Sequence, residues 1–454
     1  VQNVNLHVFK LTIDRQTTTM TLTQNRLQIT SNRRFLQYAD GTPFFYLGDT
    51  AWELFHRLTL AEADRYLTNR AAKGFTVIQA VALAELEGLT MPNANGDIPL
   101  HDQDPTRPNE AYFRHVDAIV TRANELGLFV GLLPTWGAYW RQSGWNANPI
   151  FTSESAYSYG QFLGERYRDS GLIWILGGDR NVTNDEELAI ITSLAAGLTA
   201  GDGGSHLKTF HPIGPGRSAE LFPDAAWLDF HMCQSSHGAH DHDNGLFIEA
   251  DYALTPIKPT LDGEPRYETI PVGFYFQHYN RYDRFDAYDV RQAAYWALLA
   301  GACGHTYGNN NIWQMWDVGR KPVLFADIPW YEALDHPGAL QMGLLRRIFI
   351  SRDFQKLRPA PELLIDAPRH GGAKIRAACA EDGSFAFLYS PRGEAFTVDR
   401  RQIKAARLKE IWFDPRYGSE HHIHTADNGA IQTYTPPTSG RGNDWLLILA
   451  GEAA

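Results

Sequence analysis

Residues 173–180 read Ile-Trp-Ile-Leu-Gly-Gly-Asp-Arg. Four large apolar residues in a row fit a strand buried on both faces. Two glycines then allow a sharp turn, and Asp179 follows at once. A carboxyl at the C-terminal end of a buried parallel strand is where an α/β barrel keeps its chemistry. Other expected strand ends carry Asp49 and Trp52, Glu85 and Glu87, Trp136 and Trp140, His211, Gln234 and His237, Asp262 and Glu264, and Asn310 and Trp313. Carboxylates and tryptophans on one rim suit cleavage of a glycosidic bond. One carboxylic acid protonates the leaving oxygen, and a second carboxylate attacks the anomeric carbon or activates a water. Indole rings stack on sugar faces, and Asp49, His211, Gln234, His237 and Asn310 are expected to bind hydroxyls. Asp179 after the fourth strand and a carboxyl after the seventh form the best pair, because those strands face each other across a barrel. Asp262 and Glu264 share a face of an extended segment, so spacing alone leaves both open.

Each of these residues also has a plain structural reading. Asp179 with Arg180 could cap a strand as a solvated ion pair, and Glu264 could pair with Arg266. Asp49 with Trp52 fits a capped turn, Glu85 and Glu87 fit solvated loop carboxylates, and His211 fits a buried, hydrogen-bonded histidine. The cluster His237, His240, Asp241, His242 and Asp243 suggests a barrel metallohydrolase. A metal cage, however, draws ligands of fixed geometry from several strands, and the first strand offers no His-x-His. A non-catalytic carbohydrate-binding protein is the third reading. It would keep the tryptophans without needing paired carboxylates. No metal or cofactor is expected.

The elements that must position these groups alternate. Asp40-Gly41 marks a hairpin turn between strands in 27–38 and 43–47. Thr59-x-x-Glu62 is a capping box ahead of a helix over 60–73. Strands over 75–83, 128–133, 173–177, 207–213, 227–233, 259–261 and 304–308 are separated by helical stretches at 110–126, 153–170, 183–198, 286–299 and 337–354. Eight strands counted from Phe44, most followed by a helix, predict a (β/α)8 TIM barrel. A doubly wound sheet would place a glycine-rich phosphate turn after its first strand, where this chain has Gly48-Asp49-Thr50. Beyond residue 358 short apolar runs at 385–389, 407–413 and 445–450 alternate with Gly, Asp and Pro turns. They predict a smaller C-terminal antiparallel β-sandwich. The expected division is a catalytic barrel over 20–354 and a β-sandwich over 360–454.

Composition narrows the partners. The net charge is -11, which argues against nucleic acid and acidic membrane surfaces. No apolar run is long enough to span a bilayer. The 12 tryptophans favour a carbohydrate partner. Cys233, Cys303 and Cys379 lie far apart, so neither a disulfide framework nor a zinc site is expected. Residues 1–19 differ in texture from the rest, and Met20 would serve as an initiator. With no signal peptide ahead of it, the reading is cytoplasmic, or periplasmic or secreted if a signal was removed upstream.

Several stretches resemble the apiosidase-like glycoside hydrolases, family 140. They are Gly41-Thr42-Pro43-Phe44-Phe45-Tyr46-Leu47-Gly48-Asp49-Thr50-Ala51-Trp52, Lys73-Gly74-Phe75-Thr76-Val77-Ile78-Gln79, Trp174-Ile175-Leu176-Gly177-Gly178-Asp179-Arg180-Asn181 and Gly263-Glu264-Pro265. The resemblance runs through the whole barrel and extends to that family's C-terminal β-domain, which is labelled collagen-binding. Related retaining barrels place Asn-Glu after strand four, where this chain has Gly178-Asp179. The resemblance implies Asp179 as acid/base and Glu264 as nucleophile. It also implies a glycoside of apiose as substrate, in pectic rhamnogalacturonan II or in apiosylated plant glycosides.

Overall fold

The computed structural model describes residues 26–451, apart from the side chains at 422 and 423. Residues 1–19, Met20 and the last three residues lie outside that range, so the expectations about the chain start do too. Eight parallel strands form the centre. They are β1 Tyr46–Thr50, β2 Val77–Val81, β3 Phe129–Leu133, β4 Leu172–Gly177, β5 Lys208–His211, β6 His231–Gln234, β7 Thr260–Asp262 and β8 Gly304–Tyr307. Hydrogen-bonded neighbours run β5-β4-β3-β2-β1-β8-β7-β6, with the short strand Gly216–Arg217 antiparallel on β6. The ends of this row, β5 and β6, meet without a ladder. Asp229 N–H donates to the Lys208 carbonyl (2.9 Å) and its carboxylate accepts from Lys208 N–H (2.8 Å). The Thr209 hydroxyl donates to the Phe230 carbonyl (2.8 Å). The ring is therefore closed at this seam by one backbone bond and two side-chain bonds, and the TIM barrel read from the alternation is the fold.

Helices follow the strands in turn: α1 Leu60–Ala72, α2 Glu110–Glu125, α3 Ser153–Tyr167, α4 Asp185–Asp202, α5 Ser218–Leu221, α6 Gly245–Tyr252, α7 Ala287–Leu299 and α8 Pro337–Ile350. The Thr59–Glu62 capping box forms as its spacing predicts. Helix α4 starts two residues later than expected, because Asn184 is its N-cap, and it runs on to Gly203 at φ 71°. The stretch 27–38 is two strands, Leu27–Ile29 and Leu36–Tyr38, broken by a turn in which Arg33 has φ 59°. The hairpin at Asp40-Gly41 then leads to Pro43–Phe44.

Two features set the height of β4 in the ring. Gly131 on β3 leaves the space that Ile175 fills, since a Cβ there would lie 2.8 Å from Ile175 Cδ1. Helices α3 and α4, on either side of β4 in sequence, touch backbone to backbone. A Cβ on Gly160 would come within 2.6 Å of the Leu194 carbonyl, and one on Gly197 within 2.1 Å of the Tyr157 carbonyl.

The C-terminal part is two antiparallel sheets, as expected. Six strands run in the order Leu357–Pro359, Arg376–Ala380, Phe385–Ser390, Trp445–Gly451, Arg407–Phe413, Glu420–Asp427. Three more run Leu364–Asp366, Phe396–Asp399, Ile431–Tyr434. Leu388, Phe396, Trp412 and Leu447 fill the space between the sheets. The other face of the larger sheet lies on the barrel. Tyr389 stacks on Tyr295 of α7 at 4.6 Å, and Phe387 meets Phe349 of α8. At the centre of this contact Arg291 donates two bonds to buried Asp444 (2.6 and 3.0 Å), which also accepts from the Tyr389 hydroxyl. Among the described residues no helix is long and apolar enough to cross a membrane.

Asp444→Ala would strand the Arg291 guanidinium in this contact. Removing one partner of a buried pair costs about 3–5 kcal/mol, so the unfolding free energy from a urea titration should fall by that amount and the midpoint should move to lower urea. An unchanged midpoint would show that the pair does not join the two parts.

Candidate active site

The turn after β4 places Asp179. Gly177, Gly178 and Asp179 all have positive φ (98°, 82° and 58°). A Cβ on Gly177 would meet the His211 carbonyl at 2.4 Å, and one on Gly178 the Gly137 nitrogen at 2.8 Å. The two glycines therefore answer both the backbone conformation and the lack of space. Asp179 itself holds a left-handed conformation that is costly for a non-glycine residue and is typical of functional sites.

Glu264 enters from the opposite wall, just past β7. Gln79, inside the barrel, donates to the Gly263 carbonyl (3.0 Å) and accepts from the Tyr46 hydroxyl (3.0 Å), which fixes the turn before Glu264. Glu264 and Asp179 line one cavity of about 370 Å³ at the C-terminal mouth of the barrel. His211, at the end of β5, lies between them. Its Nδ1 accepts from the Asp179 backbone N–H (3.1 Å). An accepting Nδ1 leaves the ring proton on Nε2, which faces Glu264 Oε2 at 3.1 Å. His237 Nε2 lies 3.1 Å from the other oxygen, Oε1. The loop bearing His237 is itself tied to Glu264, since Ser236 N–H donates to the Glu264 carbonyl.

These partners separate the two carboxyls. Burial alone would raise both. At Glu264 the burial effect is outweighed by the two imidazole donors, and the carboxyl is held below its ordinary range. At Asp179 burial, followed by the charge on Glu264, outweighs Arg180, His211 and a hydrogen bond from Gln234, so its carboxyl is raised. The two carboxyls are thus displaced in opposite directions, Asp179 toward the acid and Glu264 toward the carboxylate, the asymmetry that acid-assisted glycoside cleavage uses.

Of the residues picked from the sequence as acid, nucleophile or sugar contact, Trp52, Trp136, Asp179, His237, Glu264 and Trp313 line the cavity. The other five are buried behind it. Asp49 is fully buried and accepts from Tyr66 (2.5 Å) and Arg70 (2.5 Å), so it ties β1 to α1 instead of meeting a sugar. Trp140 is also fully buried and donates to the Gly177 carbonyl (2.6 Å), bracing the β4 turn. Asn310 bonds the Leu324 carbonyl and the Trp313 indole, which holds the loop after β8. His211 and Gln234 act on the carboxyl groups, as described. Arg266, which could have paired with Glu264, turns away to Gln292 and the His240 carbonyl. Asp262 is fully buried on Ser235 (2.6 Å) and Asn244 (3.0 Å), so of the two seventh-strand carboxyls only Glu264 faces the cavity.

The His/Asp cluster disperses. His240 pairs with Asp283 and Asp289, Asp241 with Arg392, and Asp243 with Lys374 and Arg376. Among the described residues no group of three or more His, Cys, Asp or Glu is gathered for a metal ion. Sequence reasoning did not pick Tyr267, Phe274, Trp145 or Leu324, which complete the wall. They come from long loops without periodic signal, although Tyr267 follows Glu264 by only three residues. Glu85, read as a solvated loop carboxylate, lines the cavity as well. Burial, with Asp179 as the next cause, pushes its carboxyl up to about 8.

Residues 30–356 match the family described as "Apiosidase-like, catalytic domain". Residues 359–450 match "Putative collagen-binding domain of a collagenase". A solved structure described as a glycoside hydrolase is 31% identical with a TM-score of 0.87, covering 96% of this chain and 99% of its own. A glycoside hydrolase family 5 protein from Bacteroides vulgatus ATCC 8482 is 29% identical with a TM-score of 0.86, covering 96% of this chain and 95% of its own. No curated protein sequence matches the chain.

His211→Ala and His237→Ala each remove a donor from Glu264 and so raise its pKa. Cleavage needs Glu264 ionised, so the acid limb of the kcat/KM profile should move to higher pH, by on the order of one unit. An acid limb that stays in place in both variants would contradict this reading of the site.

Proposed function

The chain belongs to the apiosidase-like glycoside hydrolase family, and from that premise we propose that it hydrolyses apiosyl glycosides by a retaining double displacement. The observation that carries the acid and carboxylate roles is that both groups line one cavity with unlike surroundings, His211 and His237 facing Glu264 while Asp179 faces that carboxylate; the retaining course rests on the family membership. The apiosyl glycone rests on the family membership.

In the first step a Glu264 oxygen attacks the anomeric carbon while the C–O bond to the leaving group breaks. The Asp179 proton passes to the departing oxygen, leaving Asp179 ionised and Glu264 esterified. In the second step Asp179 takes a proton from water, the hydroxide oxygen bonds the anomeric carbon, and Glu264 departs as a carboxylate. His211 and His237 face the two Glu264 oxygens, so they steady the carboxylate before attack and after release. Trp52 and Trp136, tilted against each other at 5.6 Å, give the sugar an apolar wall. The β-sandwich has a structural role in this proposal, with Arg291 and Asp444 joining it to the barrel.

Wild type should release apiose from a 4-nitrophenyl apioside and from apiosylated glycosides. Glu264→Gln should abolish turnover and leave the fold intact. Asp179→Ala should spare the 4-nitrophenyl substrate more than natural ones, because a good leaving group needs little protonation. Azide should restore turnover to Glu264→Gly and yield the glycosyl azide of inverted configuration. Near wild-type rates in both Glu264→Gln and Asp179→Ala would remove these roles, and cleavage of other aryl glycosides but not the apioside would remove the glycone assignment.

A further inference from the structure

The loop between β6 and α6, residues 235–244, carries the His237 imidazole that faces Glu264. We propose that the β-sandwich is a positioning element of the active site: its residues 371–376 and Arg392 clamp this loop and so fix the contact between His237 and Glu264. This goes beyond the joining role of Arg291 and Asp444. It rests on the reading of Glu264 as the ionised carboxylate and is independent of the glycone released.

The loop is shared between the two parts of the chain. Barrel residues hold its first half. The Ser235 hydroxyl donates to Asp262 (2.6 Å), Ser236 N–H donates to the Glu264 carbonyl (3.2 Å), and Gly273 N–H donates to the His237 carbonyl (2.7 Å). The sandwich holds its second half. Arg392, just past the strand Phe385–Ser390, donates to Asp241 (2.9 Å). Asp243 accepts from Lys374 (2.6 Å) and from Arg376 (2.8 and 3.0 Å), at the start of the strand Arg376–Ala380. Among the described residues, the ion pairs of Asp241 and Asp243 all go to the sandwich. The Asp243 and Arg376 side chains are only 13% and 5% exposed, so solvent screens their attraction little. Burial would raise the Asp243 carboxyl, yet Arg376 and Lys374 hold it below its ordinary range.

A second path reaches the same two places. Gln292 of α7 donates to the Gly372 carbonyl (3.0 Å) and accepts from Arg266 (3.1 Å). Arg266 lies two residues past Glu264 and also donates to the His240 carbonyl. Through Gln292 and Arg266 the sandwich is therefore linked both to the segment that carries Glu264 and to the loop that carries His237. The Trp296 indole, one turn further along α7, donates to the Lys374 carbonyl (2.9 Å) and seats the clamping segment on the helix.

Two glycines, one on each side, leave room for the ion pairs. A Cβ on Gly372 of the sandwich would fall on the Asp241 carboxyl, and a Cβ on Gly245 at the start of α6 would fall on the Arg376 guanidinium. Asp179, Glu85, His211, His237 and Tyr267 face Glu264 from the barrel elements around it. Of these, His237 is the one on the clamped loop, so a loosened clamp reaches Glu264 through it.

The test cuts the clamp from either side, in Asp241→Asn/Asp243→Asn and in Lys374→Ala/Arg392→Ala. Charge alone moves Glu264 in opposite directions: losing carboxylates lowers its pKa, and losing cations raises it. Loosening the His237 donor raises it in both. The acid limb of kcat/KM, on whichever 4-nitrophenyl glycoside the wild type cleaves, should therefore move to higher pH in both variants, by about half a unit. Amide exchange over residues 235–244, read by mass spectrometry without substrate, should be about tenfold faster in both. Where a double variant does not fold, Asp241→Asn and Arg392→Ala alone, at partly exposed residues, make the same comparison. Limbs that move in opposite directions or stay in place, or exchange that keeps the wild-type rate, would overturn the clamp. If His237→Ala itself leaves the limb in place, the reading of Glu264 fails, and the exchange rate alone decides the clamp.

Discussion

The imidazole of His211 is the contact on which the site depends. One ring nitrogen accepts from the backbone of Asp179, and the other faces the carboxylate of Glu264. Both carboxyls are buried, and burial pushes each toward the neutral acid. Catalysis needs only one of them neutral. The asymmetry comes from where the donors stand: two imidazoles lie on Glu264, while Asp179 is left facing the charge that they stabilise. Because His211 touches both residues, moving the end of β5 would disturb charge at β7 and geometry at β4 together.

Much of the barrel serves to hold that arrangement still. The β4 turn is pinned by Trp140 on the Gly177 carbonyl, and the β7 turn by Gln79 on the Gly263 carbonyl. Asp49, Tyr66 and Arg70 lock β1 to its helix beneath the cavity. These polar groups are buried and hydrogen-bonded to their neighbours, and such directional contacts fix geometry where a purely apolar core would give only cohesion. The β-sandwich adds a second buried ion pair on the far side of α7, away from the mouth of the barrel.

The fold was legible because its signals are local and repeated. Buried apolar runs, capping boxes and terminating glycines each mark an element, and their alternation gives the barrel. The carboxyl pair was legible in part. The Gly-Gly-Asp turn identified Asp179, but Asp262 and Glu264 could not be separated by spacing, since the choice depends on Ser235 and Asn244 reaching Asp262 from elsewhere in the chain. Placement at a strand end did not reveal which way a side chain points. Asp49, Trp140 and Asn310 occupy expected positions yet face inward, because Arg70, the Gly177 carbonyl and the Trp313 indole offer them partners there. Arg266 misled for the same reason: a charge two residues from Glu264 in sequence is turned toward Gln292 and the His240 carbonyl in space.

The most direct test of the account is to trap the glycosyl-enzyme. A 2-deoxy-2-fluoro glycoside with a good leaving group slows the second step, and peptide mass spectrometry then finds the labelled carboxyl. The account predicts one sugar per chain, attached to Glu264, with wild-type fold retained. A label on Asp179 or Glu85, or no label together with a first-formed product of inverted configuration, would contradict it.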